Sequence, residues 1–362
     1  MKCLHCGYLN PERVKSCLDC GYNGSSPDIT TEERNSLFYE FASFVDTIPR
    51  GERSVEPKFR NIFSRVFRQH SELEAERLFI VGTALTTPKL QEVKETWPKP
   101  WLFARVFLFA LIAFLGLYLG VSLFQNVNFI PGLIIVGAFT VPLTTLIFFW
   151  EMNAPQNIAI YRIVYVVFIG GILSMLVALV FFDILKNNIN PITIGISEEL
   201  AKAVTVIFFV RKLKYKYILN GLLLGAAVGA GFAAFETAGY ALRGLISGNF
   251  QTLYATILWR SLLAPGGHVA WAGLSGAAFC MIQGDKKFEL NLLIKPKFLR
   301  IFILVVLMHA LWDTPIPGIF PFGQLFLMAA SWILVFRMIR KGLKEISEKK
   351  WRFNFYPFEP SS

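Results

Sequence analysis

The chain has 362 residues, of which 54% are hydrophobic and 15% aromatic, with only 17% charged, the balance of a membrane protein. Lys and Arg outnumber Asp and Glu by 36 to 25, a net charge of +11. The basic residues gather in short loops between apolar runs, so the excess reads as cytoplasmic loop charge and excludes nucleic acid as the expected partner.

Four of the five cysteines fall at the start, as Cys3-x2-Cys6-x10-Cys17-x2-Cys20. Each CxxCG knuckle turns two thiolates toward one ion, and four thiolates complete a closed tetrahedral zinc site. Residues 1–24 are therefore expected to be a zinc ribbon held by Cys3, Cys6, Cys17 and Cys20, with His5 a bystander. Four thiolates leave no open position for catalysis. No cleavable signal peptide or lipid-anchor motif is expected, and such cysteines suit a reducing compartment.

Residues 25–98 are polar, with two amphipathic runs: Phe38, Phe41, Phe44, Val45, and Phe59, Ile62, Phe63, Val66, Phe67. They predict a cytoplasmic helical linker or small domain. Arg60, Arg65 and Arg68 would also suit a helix lying on the membrane surface.

From Trp101 onward, hydropathy predicts an all-α, polytopic transmembrane bundle over residues 99–345, followed by a cytoplasmic tail at 346–362. About eight spans are expected, near 101–124, 129–150, 158–183, 191–210, 217–242, 254–283, 298–314 and 318–340. Basic loops after the fourth, sixth and eighth spans (Arg211 to Lys216, Lys286 to Arg300, Arg337 to Lys344) place both termini in the cytoplasm, with the plasma (inner) membrane as location. Gly221, Gly225 and Gly229 form a small-residue face for close helix packing.

The later spans carry ionisable groups. Each charge costs roughly 2.5–3.5 kcal/mol at the centre of a membrane helix, so together they suggest one polar site inside the bilayer. Glu198 and Glu199 lie three or four residues before Lys202; Phe232, Glu236 and Tyr240 share a helix face; His309 and Asp313 are four apart; His268 sits near the middle of the sixth span. The topology brings Glu198, Glu199, Glu236, His309 and Asp313 to the outer half of the bilayer. There, a carboxylate beside an imidazole can deprotonate water, and a second imidazole with a donor nearby can stabilise an oxyanion.

EELAK, GAGFAAFE, GGHVAW and HALWD, in that order on successive helices, resemble the motifs of the PrsW family of glutamic-type intramembrane proteases. That family is related to the CAAX-protease and bacteriocin-processing membrane proteins. The resemblance spans about residues 190–315. It implies an intramembrane endopeptidase acting on membrane-anchored proteins, such as anti-sigma factors, near the extracytoplasmic face in regulated proteolysis. Glu198 would be the general base and Glu199 its companion; His309 and Asp313 would orient substrate and steady the oxyanion. Glu236 stands where the wider group has histidine, and His268 matches a family histidine without an assigned role. Lys202, Phe232 and Tyr240 are expected to support the site. No metal is expected in the catalytic site, though one held by Glu and His from different helices is not excluded. The zinc ribbon would serve a protein partner.

GLSG at 273–276 resembles a rhomboid serine motif with Ser275 as nucleophile, but it leaves the glutamates without a task. There is no HExxH metal-binding pair. The alternatives are a catalytically silent membrane scaffold of the same fold and a proton-relaying transporter, for which no inverted repeat is evident.

Overall fold

The structure, a computed structural model, describes residues 62–66, 68–185, 188–315 and 320–355. The expected zinc ribbon and the run from Phe38 to Val45 lie outside the described residues. Those residues are helical, with no strand among them. A short helix, α1 (Glu72–Phe79), precedes the apolar region; its N-cap Ser71 accepts from the Glu74 amide in a capping box. The apolar helices follow: α2 (Leu102–Ser122), α3 (Ile130–Met152), α4 (Ile160–Tyr165) and α5 (Gly171–Ile184). A π turn, Val166–Gly170, joins the last two into one continuous rod. Next are α6 (Pro191–Val210), α7 (Ile218–Ile246), α8 (Phe250–Leu263), α9 (His268–Gln283), α10 (Pro296–Asp313) and α11 (Phe322–Phe355).

Among the described residues, five segments are long and apolar enough to cross a membrane: Leu102–Ser122, Val127–Met152, Ile160–Ile184, Ile218–Ile246 and Phe322–Phe353. The expected fourth and seventh spans appear as α6 and α10, whose charged side chains dilute their apolar character. The expected sixth span is not one helix. It breaks at Ala264-Pro265-Gly266-Gly267 into α8 and α9 of 14 and 16 residues. Proline lacks the amide that would continue the ladder, and two glycines follow it. His268 is consequently the first residue of α9, at a helix N-terminus, and not mid-span.

Two close helix contacts position everything else. The long helix α7 is almost entirely buried, and its glycines face α9. A Cβ at Gly221, Gly225 or Gly229 would run into the backbone carbonyl of Gly276, Ala272 or His268 respectively. Glycine there allows backbone contact, the small-residue packing expected of this stripe. On α6, a Cβ at Gly195 would lie 3.1 Å from the Val306 carbonyl, so α6 and α10 also meet backbone to backbone. Side chains satisfy two of the helix N-termini. Asn190 caps α6 by accepting from the Ile192 and Thr193 amides. The carboxylate of Glu151, on α3, accepts from the backbone amides of Trp101, Leu102 and Phe103 at 2.7–2.9 Å. It thereby closes the start of α2, where a helix favours negative charge.

Candidate active site

The helix contacts carry the ionisable residues into one place. Glu198 and Glu199 follow Gly195 by one turn, on the side of α6 that meets α10, and Lys202 follows by another. Glu236 lies two turns beyond Gly229, continuing the α7 stripe that faces the start of α9. His309 precedes Ala310, whose amide nitrogen lies 3.2 Å from a Cβ built on Gly195. Four helices, α6, α7, α9 and α10, thus contribute to a single cluster.

Each histidine uses one ring nitrogen on a carboxylate. His309 Nδ1 donates to Glu199 Oε1 at 2.7 Å, and His268 Nε2 lies 3.0 Å from Glu236 Oε2. The other ring nitrogens turn toward Glu198: His309 Nε2 is 3.7 Å and His268 Nδ1 4.0 Å from its Oε2. Among the described residues, Glu198, His268 and His309 form a group that offers three ligand atoms within 4.8 Å of one another. Glu198 Oε2 is buried with no hydrogen-bond partner.

Lys202 is fully buried among these acceptors. Its Nζ lies 2.6 Å from Glu199 Oε1 and 3.6 Å from Glu198 Oε2, 2.8 Å from His268 Nδ1, and 4.4 Å above the Phe232 ring. Asp313 Oδ2 is 3.3 Å from His309 Nε2. Tyr240 is not in the cluster itself; its ring stacks against Arg260 at 4.5 Å. Side-chain exposure rises from none at Glu199 and Lys202 to 30% at Asp313 and 33% at Arg260. Access to the cluster is therefore from the Asp313 and Arg260 side.

Three residues around the cluster were not anticipated. Arg260 reaches Glu236 Oε2 at 2.5 Å; an arginine in an apolar run is the same signal that picked out the glutamates. Trp271 packs 4.8 Å from the His309 ring and donates from Nε1 to Ser331 Oγ at 3.0 Å. Ser331 in turn donates to the Gly266 carbonyl at 2.7 Å, tying α11 to the break before His268. Trp271 closes the GGHVAW motif, whereas no sequence signal distinguishes Ser331 from an ordinary core residue.

The charges are unequal. Four carboxylates (Glu198, Glu199, Glu236, Asp313) face two permanent cations (Lys202, Arg260), leaving two negative charges when both imidazoles are neutral. With Nδ1 donating to Glu199, His309 Nε2 presents a lone pair toward Glu198 and Asp313. Three such acceptors face one another favourably around a proton, on Nε2 or on one of the carboxylates, or around a metal ion.

Residues 161–339 match the model of the PrsW family, described as intramembrane metalloproteases. This part of the chain belongs to the PrsW family. The match contains every residue of the cluster, and with the apolar helices it makes the protein an integral membrane protease acting on membrane protein substrates. No curated protein and no solved structure matches the chain.

The family description implies a metal where the sequence suggested none, and the donor set fits one. One glutamate and two histidines from three helices, each histidine backed by a carboxylate, is the usual composition of a hydrolytic metal site with an open position.

Proposed function

We propose that the protein is an endopeptidase that hydrolyses a peptide bond of a membrane-anchored protein, with its chemistry at Glu198, His268 and His309. The observation that carries this is the pairing of both histidines: each holds a carboxylate on one ring nitrogen, and the other lies within 4.0 Å of Glu198 Oε2, which makes no hydrogen bond. Glu198, His268 and His309 would hold a divalent metal. When bound, the metal supplies Lewis acidity to the attacking water and the scissile carbonyl.

The chain's own groups carry the proton and the geometry. The Glu198 carboxylate, through the oxygen not engaged by the metal, would accept the proton of water as the water oxygen bonds to the carbonyl carbon. It delivers that proton to the amide nitrogen as the carbon–nitrogen bond breaks. Glu199 and Glu236 fix the tautomer and orientation of His309 and His268. Lys202 offsets the buried charge of Glu199, and Phe232 packs against its ammonium. Asp313, at the more open edge, orients His309 and meets substrate first. The basic loops support cytoplasmic termini, cleavage toward the extracytoplasmic face, and regulated substrates of the kind that anti-sigma factors represent. The N-terminal cysteines support a zinc ribbon that engages a protein partner.

A second reading keeps the glutamate chemistry without metal. It is favoured by Lys202, whose ammonium already fills the space between Glu198, Glu199 and His268 Nδ1; a proton on His309 would then complete the charge balance. Purified protein in proteoliposomes with a single-span reporter separates the two readings. Under the metal reading, cleavage stops on dialysis against a chelator and returns with zinc, and Glu198→Gln abolishes it. Cleavage that survives chelation but not Glu198→Gln supports the metal-free reading. Cleavage that survives Glu198→Gln overturns both.

A further inference from the structure

We infer that Arg260 is a positioning residue for His268, acting through Glu236. A single carboxylate oxygen, Glu236 Oε2, receives both groups: Arg260 Nη2 at 2.5 Å and His268 Nε2 at 3.0 Å. Arg260 is itself held on α7 at two further points. Its Nε lies 3.4 Å from Thr237 Oγ1, and its guanidinium sits 4.5 Å above the Tyr240 ring. Thr237 adjoins Glu236 and Tyr240 is one turn beyond, so one helix supplies the whole cradle for an arginine arriving from α8.

The connection has a geometric purpose. Arg260 and His268 lie on opposite sides of the Ala264–Gly267 break, where the backbone no longer holds the two helices in a common register. The shared oxygen restores that register through side chains. It also decides which ring nitrogen of His268 faces inward. With Arg260 in place, Glu236 stays on the outer side of the ring and accepts from Nε2, leaving Nδ1 toward Glu198. Without it, Glu236 loses the cation that holds its carboxylate on this side of the ring, and its hold on Nε2 loosens. A planar guanidinium can pair with Glu236 while stacking on Tyr240; an ammonium supplies the charge without the plane.

The inference rests on the reading that His268 is a working group of the site. The test is a double-mutant cycle on the full chain in detergent, with Arg260→Gln, Glu236→Gln and the pair together. Zinc affinity is measured by competition with a chromophoric chelator in a background with Cys3, Cys6, Cys17 and Cys20 replaced by serine, so that only the membrane site can hold the ion, and kcat and KM on the reporter. Losing an outer-shell partner is expected to weaken zinc binding by about 10- to 100-fold. Arg260→Gln should show that loss and a similar fall in kcat with little change in KM. The double variant should be no worse than Glu236→Gln alone, and Arg260→Lys should recover part of the effect. Wild-type zinc affinity and kcat in Arg260→Gln, or effects that add in the double variant, would overturn the inference. Should Arg260→Gln fail to fold, Arg260→Lys carries the same comparison. If the wild type cleaves without binding zinc, the metal reading fails by itself, and the kcat half of the cycle decides Arg260 by the same criteria.

Discussion

Glu198 and Ser275 separate the candidate chemistries at the scale of single residues. Glu198 offers a buried oxygen without a hydrogen bond to two histidines, whereas the hydroxyl of Ser275 is buried in α9 without any partner. A nucleophilic serine needs a base beside it. Glu198→Gln should lower reporter cleavage by at least 10²- to 10⁴-fold, the range typical of a lost acid–base group, while the protein still melts cooperatively. Ser275→Ala should leave cleavage within about twofold of wild type, a threshold below even 1 kcal/mol of barrier. Lys202 plays a different part. It is the counter-charge of two buried glutamates, and removing one partner of such a pair costs about 3–5 kcal/mol. Lys202→Met should therefore lower the melting temperature in detergent as well as cleavage. A variant that melts like wild type would show that the glutamates do not need this ammonium.

At the scale of elements, the backbone contacts of α7 with α9 and of α6 with α10 set the distances within the site. Gly225 meets the Ala272 carbonyl so closely that any side chain must push the helices apart. Gly225→Leu is expected to cost at least the roughly 1–3 kcal/mol of an overpacked core, and to separate Glu236 from His268. Thermal melting and cleavage should fall together. Retained cleavage in a destabilised variant would show that the site tolerates a wider helix spacing.

The loop after α9 is fastened differently. Asp285 pairs with Lys216 at 2.7 Å and with Lys349 at 3.1 Å. Burial raises the pKa of Asp285, but the two ammonium groups outweigh it and hold it below its ordinary 3.8. A lowered value means that the ion pairs support the fold above the ordinary carboxylate range and lose that support as the pH falls through the lowered value. Asp285→Asn should accordingly flatten the acid side of the stability–pH curve, read by melting between neutral and acid buffers.

At the scale of the whole molecule, the described residues place ten helices beyond α1 around one polar cluster. The cluster is closed at Glu199 and Lys202 and more open toward Asp313 and Arg260. The basic residues of the Lys286–Arg300 loop lie at the opposite end of α9 from His268. The proposed orientation therefore puts that loop in the cytoplasm and the open edge of the cluster toward the outside. Single cysteines placed at Lys287 and at Asn126, in a background with Cys280 retained as a buried thiol, test it in intact cells. A membrane-impermeant maleimide should label position 126 and spare position 287. The reverse pattern would invert the topology and place cleavage at the cytoplasmic face.

The all-helical membrane class was legible in the sequence because hydropathy and length are local properties of an apolar run. So was the α7 glycine stripe, since its spacing alone puts three glycines on one face. The ionisable residues were legible too, because a charge in a membrane helix is costly wherever it sits. The break in the sixth span was written in Pro265-Gly266-Gly267 but masked by apolar residues on both sides. Pairings across helices were not legible. That His309 serves Glu199, that Glu236 is shared by His268 and Arg260, and that Trp271 and Ser331 close around the histidines all depend on distances between segments remote in sequence. The sequence by itself determined which residues must be hidden together. Only the tertiary structure decided which faces which, because helix packing, unlike hydropathy, is set by contacts that no single segment contains.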